Sequence, residues 1–297
     1  MKNVSRTEWQ ASIARTARAV ARPAAQRFPQ AVAFYRYLRE GYPIFAQPKP
    51  TPLGFRLAGD ARMESGSYEK MERGIVEKCL ANADVFINIG ANIGYYCCLA
   101  LAHNKPTIAF EPLDANLKLL YKNIAANGWQ EKIEIFPLAL GNRSGLMELF
   151  GGHTGASLIE GWAGTPEHHR RLVPLSTLDT VLGDRFHARR CFVLVDIEGA
   201  EYAMLQGASH FLAQSPKPLW MIEIQGADHQ PSAVGFNPHF LQTFQLFWEN
   251  GYDCWTVEPA PHLVTRDEIE SIEATRQNTL TVHNFLFVEA NMAPPHA

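Results

Sequence analysis

At 297 residues, with 46% hydrophobic and 19% charged side chains, the chain is long enough to bury a sizeable core and has the balance of an ordinary globular protein. Its formal net charge of −3 excludes a generally basic nucleic-acid-binding surface, since such domains carry a clear basic excess. The five cysteines, Cys79, Cys97, Cys98, Cys191 and Cys254, are odd in number and form no Cys-x-x-Cys pair, a usage that argues against a disulfide framework and reads as reduced thiols in the cytoplasm.

The charge is unevenly spread. Eight basic and two acidic side chains leave the first 40 residues at +6 and the remainder at −9. Between 7 and 37 the composition is helical, with Trp9, Ile13, Val20 and Ala24 interleaved with arginines and with Pro23 and Pro29 interrupting. Such an arm suits packing on the body of the chain, on a second subunit, or on an anionic membrane surface, and amphipathic helices usually bury their apolar face in protein. The arginines interrupt any signal-peptide core, so no leader is expected. Gln47-Pro48-Lys49-Pro50-Thr51-Pro52 reads as a linker. The chain thus divides into a basic helical extension over 1–50 and one α/β domain over 51–297.

Past the linker, a short strand is expected near 55–57 and a helix over 68–80 with Ser67 as its N-cap. The apolar run 85–89 then reads as a buried strand, and Gly90-Ala91-Asn92-Ile93-Gly94 as a tight turn leading into a helix over 93–102, whose first amides would face a bound molecule. The next strand, 107–110, ends in Glu111-Pro112. An acid at this strand end, 21 positions after Gly90, has the reach to accept hydrogen bonds from both hydroxyls of a ribose. Asn92 occupies the place of the middle glycine in a dinucleotide fingerprint, where backbone would have to approach a pyrophosphate. A nucleoside with a compact zwitterionic tail fits better, which points to S-adenosylmethionine rather than NAD.

Further on, the reading gives a helix over 114–127 stopped by Gly128, a strand at 133–137, short strands at 146–150 and 171–174, and a brief helix over 177–182. A fully apolar strand over 192–196 ends in Asp196-Ile197-Glu198-Gly199-Ala200-Glu201 and feeds a helix over 201–212. Strand 219–224, helix 238–250, strand 252–257 and strand 284–288 complete the chain. Alternating strands and helices imply a mostly parallel sheet with helices on both faces.

Taken together, Asn88-Ile89-Gly90-Ala91-Asn92-Ile93-Gly94, Glu111-Pro112, Asp196-Ile197-Glu198-Gly199-Ala200-Glu201 and Asn284-Phe285-Leu286-Phe287 resemble, in order and spacing, the motifs of the FkbM-type methyltransferase family. Tyr68-Glu69 and Leu178-Asp179 are similar to its weaker landmarks, and the resemblance covers about 68–288. It implies a Rossmann-like class I methyltransferase fold, a seven-stranded mostly parallel sheet whose last strand runs antiparallel, and S-adenosylmethionine held by Asn88, Gly90, Ala91, Asn92, Gly94, Glu111, Pro112 and Asp196. The family's usual first-motif aspartate is Asn88 here, which keeps an acceptor but lacks the charge that would favour the cofactor's cationic groups.

In an open α/β sheet ligands sit beyond the carboxyl ends of the strands, so Gly90, Glu111, Asp196 and Glu223 should line one crevice. Candidates for the acceptor's base are Asp196, Glu198 and His229, with His283 as a further one; Glu201 suits a helix N-terminus instead. Asp196, Glu198 and Glu223 could also hold Mg²⁺, a less favoured reading, and His168-His169 lacks the partners of a zinc site. Residues 151–171, with Trp162, read as a mobile substrate lid on which a sugar or ring could stack, although packing on the body is the commoner role of tryptophan. The expected reaction is O-methylation of a hydroxyl on a glycan, glycolipid or secondary metabolite. A metal-dependent glycosyl or nucleotidyl transferase would use the same acids but would need a nucleotide diphosphate, and a non-catalytic scaffold would follow if Asn88 abolished affinity.

Overall fold

The computed structural model describes residues 46–152, 155–164 and 170–295. The helical extension expected over 7–37 and the His168-His169 pair lie outside the described residues.

The described chain starts with two short strands, β1 (Lys49–Pro50) and β2 (Arg56–Leu57), paired antiparallel. Two of the six residues of the expected linker are therefore strand. Helices α1 (Ala61–Glu64) and α2 (Lys70–Asn82) lead to β3 (Val85–Ile89), α3 (Tyr95–Ala102), β4 (Thr107–Phe110), α4 (Asp114–Ala126) and β5 (Ile133–Phe136). Ser67 does not cap α2: the cap position is Glu69, in the left-handed region at φ 38°, with no side-chain capping bond.

A small sheet follows. Strands β6 (Ala139–Leu140), β7 (Gly145–Phe150) and β8 (Arg170–Ser176) pair in the order β6-β8-β7. Helix α5 (Leu178–Leu182) begins at Thr177, whose side chain accepts from the Thr180 amide. After β9 (Cys191–Val195), the helix expected over 201–212 is two helices, α6 (Glu201–Gln206) and α7 (Ser209–Ala213). Gly207 separates them because a Cβ there would stand 2.0 Å from the Gly141 carbonyl oxygen. Strand β10 (Leu219–Glu223), α8 (Phe240–Glu249), β11 (Tyr252–Thr256), β12 (Leu263–Val264), α9 (Arg266–Thr275) and β13 (Asn284–Glu289) complete the chain.

The main sheet has eight strands in the order β12-β11-β13-β10-β9-β3-β4-β5. The expected seven are all present, and the two-residue β12 extends the edge beyond β11. Strands β10, β9, β3, β4 and β5 run parallel, and β13 is antiparallel to both its neighbours. Every residue of β3 and β9 is buried, as strands covered on both faces require. Aromatic rings fill one part of the core: Phe247 stacks on Phe287 at 3.7 Å, and Phe244 meets Phe285 edge-on at 5.1 Å. All five cysteines are buried with free thiols. Among the described residues no helix is long and apolar enough to cross a membrane.

This topology sets the site. Strand β3 is followed in sequence by β4 on one side and flanked by β9 on the other, so the chain leaves β3 and β9 in opposite directions and opens a crevice at their carboxyl ends.

Candidate active site

The floor of the crevice is the turn after β3. Gly90 and Ala91 both donate their amides to the Phe110 carbonyl, at 3.0 and 2.9 Å, which binds the turn to the end of β4. Gly90 takes φ +86°, and a Cβ there would stand 1.9 Å from the Asp196 carbonyl oxygen. Its glycine is required by the passage of β9 rather than by a ligand. Gly94, expected to allow a ligand close, instead faces Leu120, whose Cδ1 would lie 2.3 Å from an added Cβ. Asn123 of α4 anchors the far side of the turn, donating to the Ile93 carbonyl at 2.9 Å while accepting from the Ala58 amide at 2.7 Å.

One wall is built around Glu111. Its carboxylate accepts from the Asn92 amide at 2.7 Å, the Leu113 amide at 2.8 Å and Asn116 Nδ2 at 3.3 Å. Burial nevertheless outweighs these three donors and pushes the carboxyl up to about 7. With three donors on a carboxylate that has about four acceptor sites, capacity remains for a ribose hydroxyl from the crevice. Asn92, held at φ 51°, lines the same crevice with a buried Oδ1 that has no hydrogen-bond partner. Phe110, Leu138, Leu140, Leu149 and Leu158 form an apolar lining suited to a planar base. The crevice holds about 590 Å³ counted to its open mouth. On the orphaned Asn92 oxygen, the Glu111 carboxylate and the apolar lining, these residues fit a nucleoside cofactor.

The other wall carries acids. Asp196 and Glu198 line the crevice, and burial, then repulsion from Glu223, Glu198, Glu69 and Glu201, raises the Asp196 carboxyl well above the usual carboxylate range. The Asp196 side chain is open to the crevice. Glu201 is buried and pushed up to about 8, mainly by burial; as expected it serves a helix start, accepting from the Gly199 amide at 2.8 Å. Glu223, hydrogen-bonded by Gln225, is raised by burial and by Glu198 and Glu69. Glu198 stands at φ 56° and His229 at φ 63°, with 4.0 Å between Glu198 Oε2 and His229 Nδ1.

The structure thus brings Gly90, Asn92, Glu111, Pro112, Asp196 and Glu198 to one crevice, with His229 beside Glu198. Asn88, Ala91 and Gly94 are not among its lining residues. Asn88 is 3% exposed, and its amide donates to Cys97 Sγ at 3.4 Å, so its side chain is packed within the protein. His283 lies 3.7 Å from Asp228 rather than against the carboxylates. Of the loop expected to act as a lid, the described part is packed down, with Trp162 fully buried and Ser157 1% exposed. Among the described residues no group of three His, Cys, Asp or Glu side chains is arranged to hold a metal ion.

Three residues emerged only from the structure. Glu69, on the strained cap of α2, accepts from Tyr96 Oη at 2.7 Å and adds its charge to the ring around Asp196. Asn116 completes the donor set of Glu111. Ser157 donates to the Glu198 carbonyl at 2.6 Å. The landmark Tyr68-Glu69 was the available signal for the first; nothing in the spacing marked the other two.

The family model described as the methyltransferase FkbM domain matches residues 88–254. Among solved structures, a methyltransferase FkbM from Methylobacillus flagellatus KT is similar at 16% identity and a TM-score of 0.41, over 69% of this chain and 43% of that one. This chain therefore spans less than half of that protein. A putative O-methyltransferase from Klebsiella pneumoniae is similar at 10% identity and a TM-score of 0.41, over 86% and 89% of the two chains. A SAM-dependent O-methyltransferase from Thermotoga maritima is similar at 12% identity and a TM-score of 0.37, over 76% and 67%. No curated protein sequence gives a significant match.

Proposed function

This chain belongs to the FkbM methyltransferase family, and on that premise we propose that it transfers a methyl group from S-adenosylmethionine to a hydroxyl oxygen of a glycan, glycolipid or secondary metabolite. The family implies the cofactor, and Glu111, Asn92 and Gly90 with the apolar lining are the residues that would hold it. When bound, the cofactor supplies a sulfonium-activated methyl group.

The chain's own part is binding, orientation and proton management. Glu111 in its ionised form accepts hydroxyl donors, and the Asn92 side chain offers an acceptor at the turn. Orientation of two reactants in one crevice can contribute about 7 to 11 kcal/mol of barrier lowering. The observation that carries the O-directed reading is the ring of carboxylates around Asp196. Repulsion from the neighbouring carboxylates raises the affinity of Asp196 for a proton, so in its ionised form this carboxylate is the group to accept one from an acceptor hydroxyl. Glu198 and His229 flank it as the residues that orient the acceptor.

The test is calorimetric titration of the full chain with S-adenosylmethionine, S-adenosylhomocysteine, NAD and UDP-glucose, with and without Mg²⁺, followed by transfer of tritiated methyl to a panel of hydroxyl-bearing saccharides. Selective binding of the two adenosyl compounds and base-stable label in the saccharides are expected. Mg²⁺-dependent binding of UDP-glucose alone would overturn the reading.

A further inference from the structure

The loop between β7 and β8 and the turn after β9 are interlocked at one point. Glu198 and Gly199 occupy consecutive left-handed positions, at φ 56° and 99°. A Cβ on Gly199 would stand 2.5 Å from the Trp162 ring and 2.9 Å from Ile159 Cδ1, so the ring occupies the space that the glycine leaves. Trp162 Nε1 donates to Glu198 Oε2 at 2.7 Å. Ser157 Oγ donates to the Glu198 carbonyl at 2.6 Å and itself accepts from the Ile159 amide at 2.9 Å. On the other side of the indole, the Ala163 amide donates to the His229 carbonyl at 2.7 Å, and the Trp162 and His229 rings meet edge-on at 6.1 Å. Ala163, Glu198 and His229 are all non-glycine residues with positive φ, at 49°, 56° and 63°. Strained residues persist where the surroundings over-determine them, and these three hold one another through Trp162.

We propose that Trp162 is a positioning residue: its buried indole N–H holds Oε2 of Glu198, and its ring locks the 198–199 turn, so that Oε1 is the oxygen left to the acceptor. The proposal rests on the methyltransferase reading for the identity of that acceptor, and on the geometry alone for the clamp. A bare packing role would need the ring but not the N–H. The N–H makes a charge-assisted bond, the stronger class of hydrogen bond, to a carboxylate of the crevice wall. Another indole, that of Trp255, has a buried Nε1 with no hydrogen-bond partner and serves as an internal reference.

The experiment is ¹H–¹⁵N spectroscopy and amide hydrogen exchange on the full chain, with S-adenosylhomocysteine titrated in parallel. The Trp162 indole signal, assigned by its loss in Trp162→Phe, should lie downfield of that of Trp255, and Glu198→Gln should move it upfield while leaving the other indole signals in place. Trp162→Phe keeps most of the ring volume; exchange at 197–200 should rise about tenfold, as loss of one bond to a charged group implies, with 88–93 unaffected. Affinity for S-adenosylhomocysteine should stay within about twofold, because the clamp lies on the opposite wall from Glu111. If Trp162→Phe fails to fold, Ser157→Ala, which removes the bond to the Glu198 carbonyl together with the acceptor of the Ile159 amide, should loosen the same turn. An indole signal indifferent to Glu198→Gln, or unchanged exchange at 197–200, would overturn the proposal. Failure of the wild-type chain to bind S-adenosylhomocysteine would instead strike the methyltransferase reading, so the two failures are separable.

Discussion

The two walls of the crevice are made in different ways. The Glu111 wall comes from one stretch, 88–116, in which a strand, a turn and the next strand end supply backbone amides to a single carboxylate. The wall that carries Asp196 and Glu198 is supported from separate stretches, with Trp162 bonded to Glu198 and with Glu69 and Glu223, neither of which lines the crevice, adding like charge; left-handed residues gather there. A wall that only has to hold a ligand can be built from satisfied backbone groups. One that has to take up a proton is built from charges kept in mutual repulsion, and its strain is borne by contacts between distant segments.

The largest expected effect breaks the joint between the two. Gly90→Ala places a Cβ 1.9 Å from the Asp196 carbonyl at φ +86°, so both backbone and neighbour must move. A loss of more than about 4 kcal/mol is expected, enough to keep folded protein from accumulating, as measured by soluble yield and thermal melting. Next, Glu111→Ala removes the acceptor of the proposed ribose hydroxyls. With each bond to a charged group contributing about 1.5 to 3 kcal/mol, affinity for S-adenosylhomocysteine should fall by about a hundredfold or more.

The pH dependence sharpens the comparison. The Glu111 carboxyl moves from 4.5 to about 7 on folding. Between those values the folded chain holds the proton that the unfolded chain has lost, so stability is full below 4.5 and declines as pH rises toward 7, by roughly 3 kcal/mol for this group. Glu201, at about 8, extends the decline by about one pH unit. Ligand binding runs the other way: the ionised Glu111 is the acceptor, so affinity for S-adenosylhomocysteine should rise up to tenfold per unit as pH approaches 7 and level off above it. A flat affinity between pH 5.5 and 8, read by calorimetry, would contradict the role of Glu111. The smallest effect on stability is on the other wall. Asp196→Asn relieves repulsion with Glu223, Glu198, Glu69 and Glu201, so the melting temperature at pH 8 should rise slightly while methyl transfer is lost.

Much of the fold could be read from the sequence because its strands are local apolar runs ending in glycine or acid. Strand β3 was read at its observed bounds, and the antiparallel last strand followed from the resemblance. Helix α9 went unread although Thr265 accepts from the Glu268 amide, a capping pattern visible as Thr265-x-x-Glu268, because only Ile269 and Ile272 mark its buried face in a highly charged stretch. The Glu111 wall was legible for the same reason that it is simple: its parts are neighbours in sequence. What spacing could not supply was the direction of Asn88, whose amide turns to Cys97, or the service of Gly90 and Gly94 to packing. The clamp on Glu198 was illegible because it depends on a tryptophan 36 residues away meeting a glycine that lacks a Cβ.

The division of the crevice is tested most directly by one calorimetric series: S-adenosylhomocysteine titrated at pH 8 into the wild-type chain, Glu111→Ala and Asp196→Asn. The account predicts binding by the wild type, a loss of about a hundredfold in Glu111→Ala, and affinity within a few-fold of wild type in Asp196→Asn. Equal losses in both variants, the reverse ranking, or no binding by the wild-type chain would contradict it.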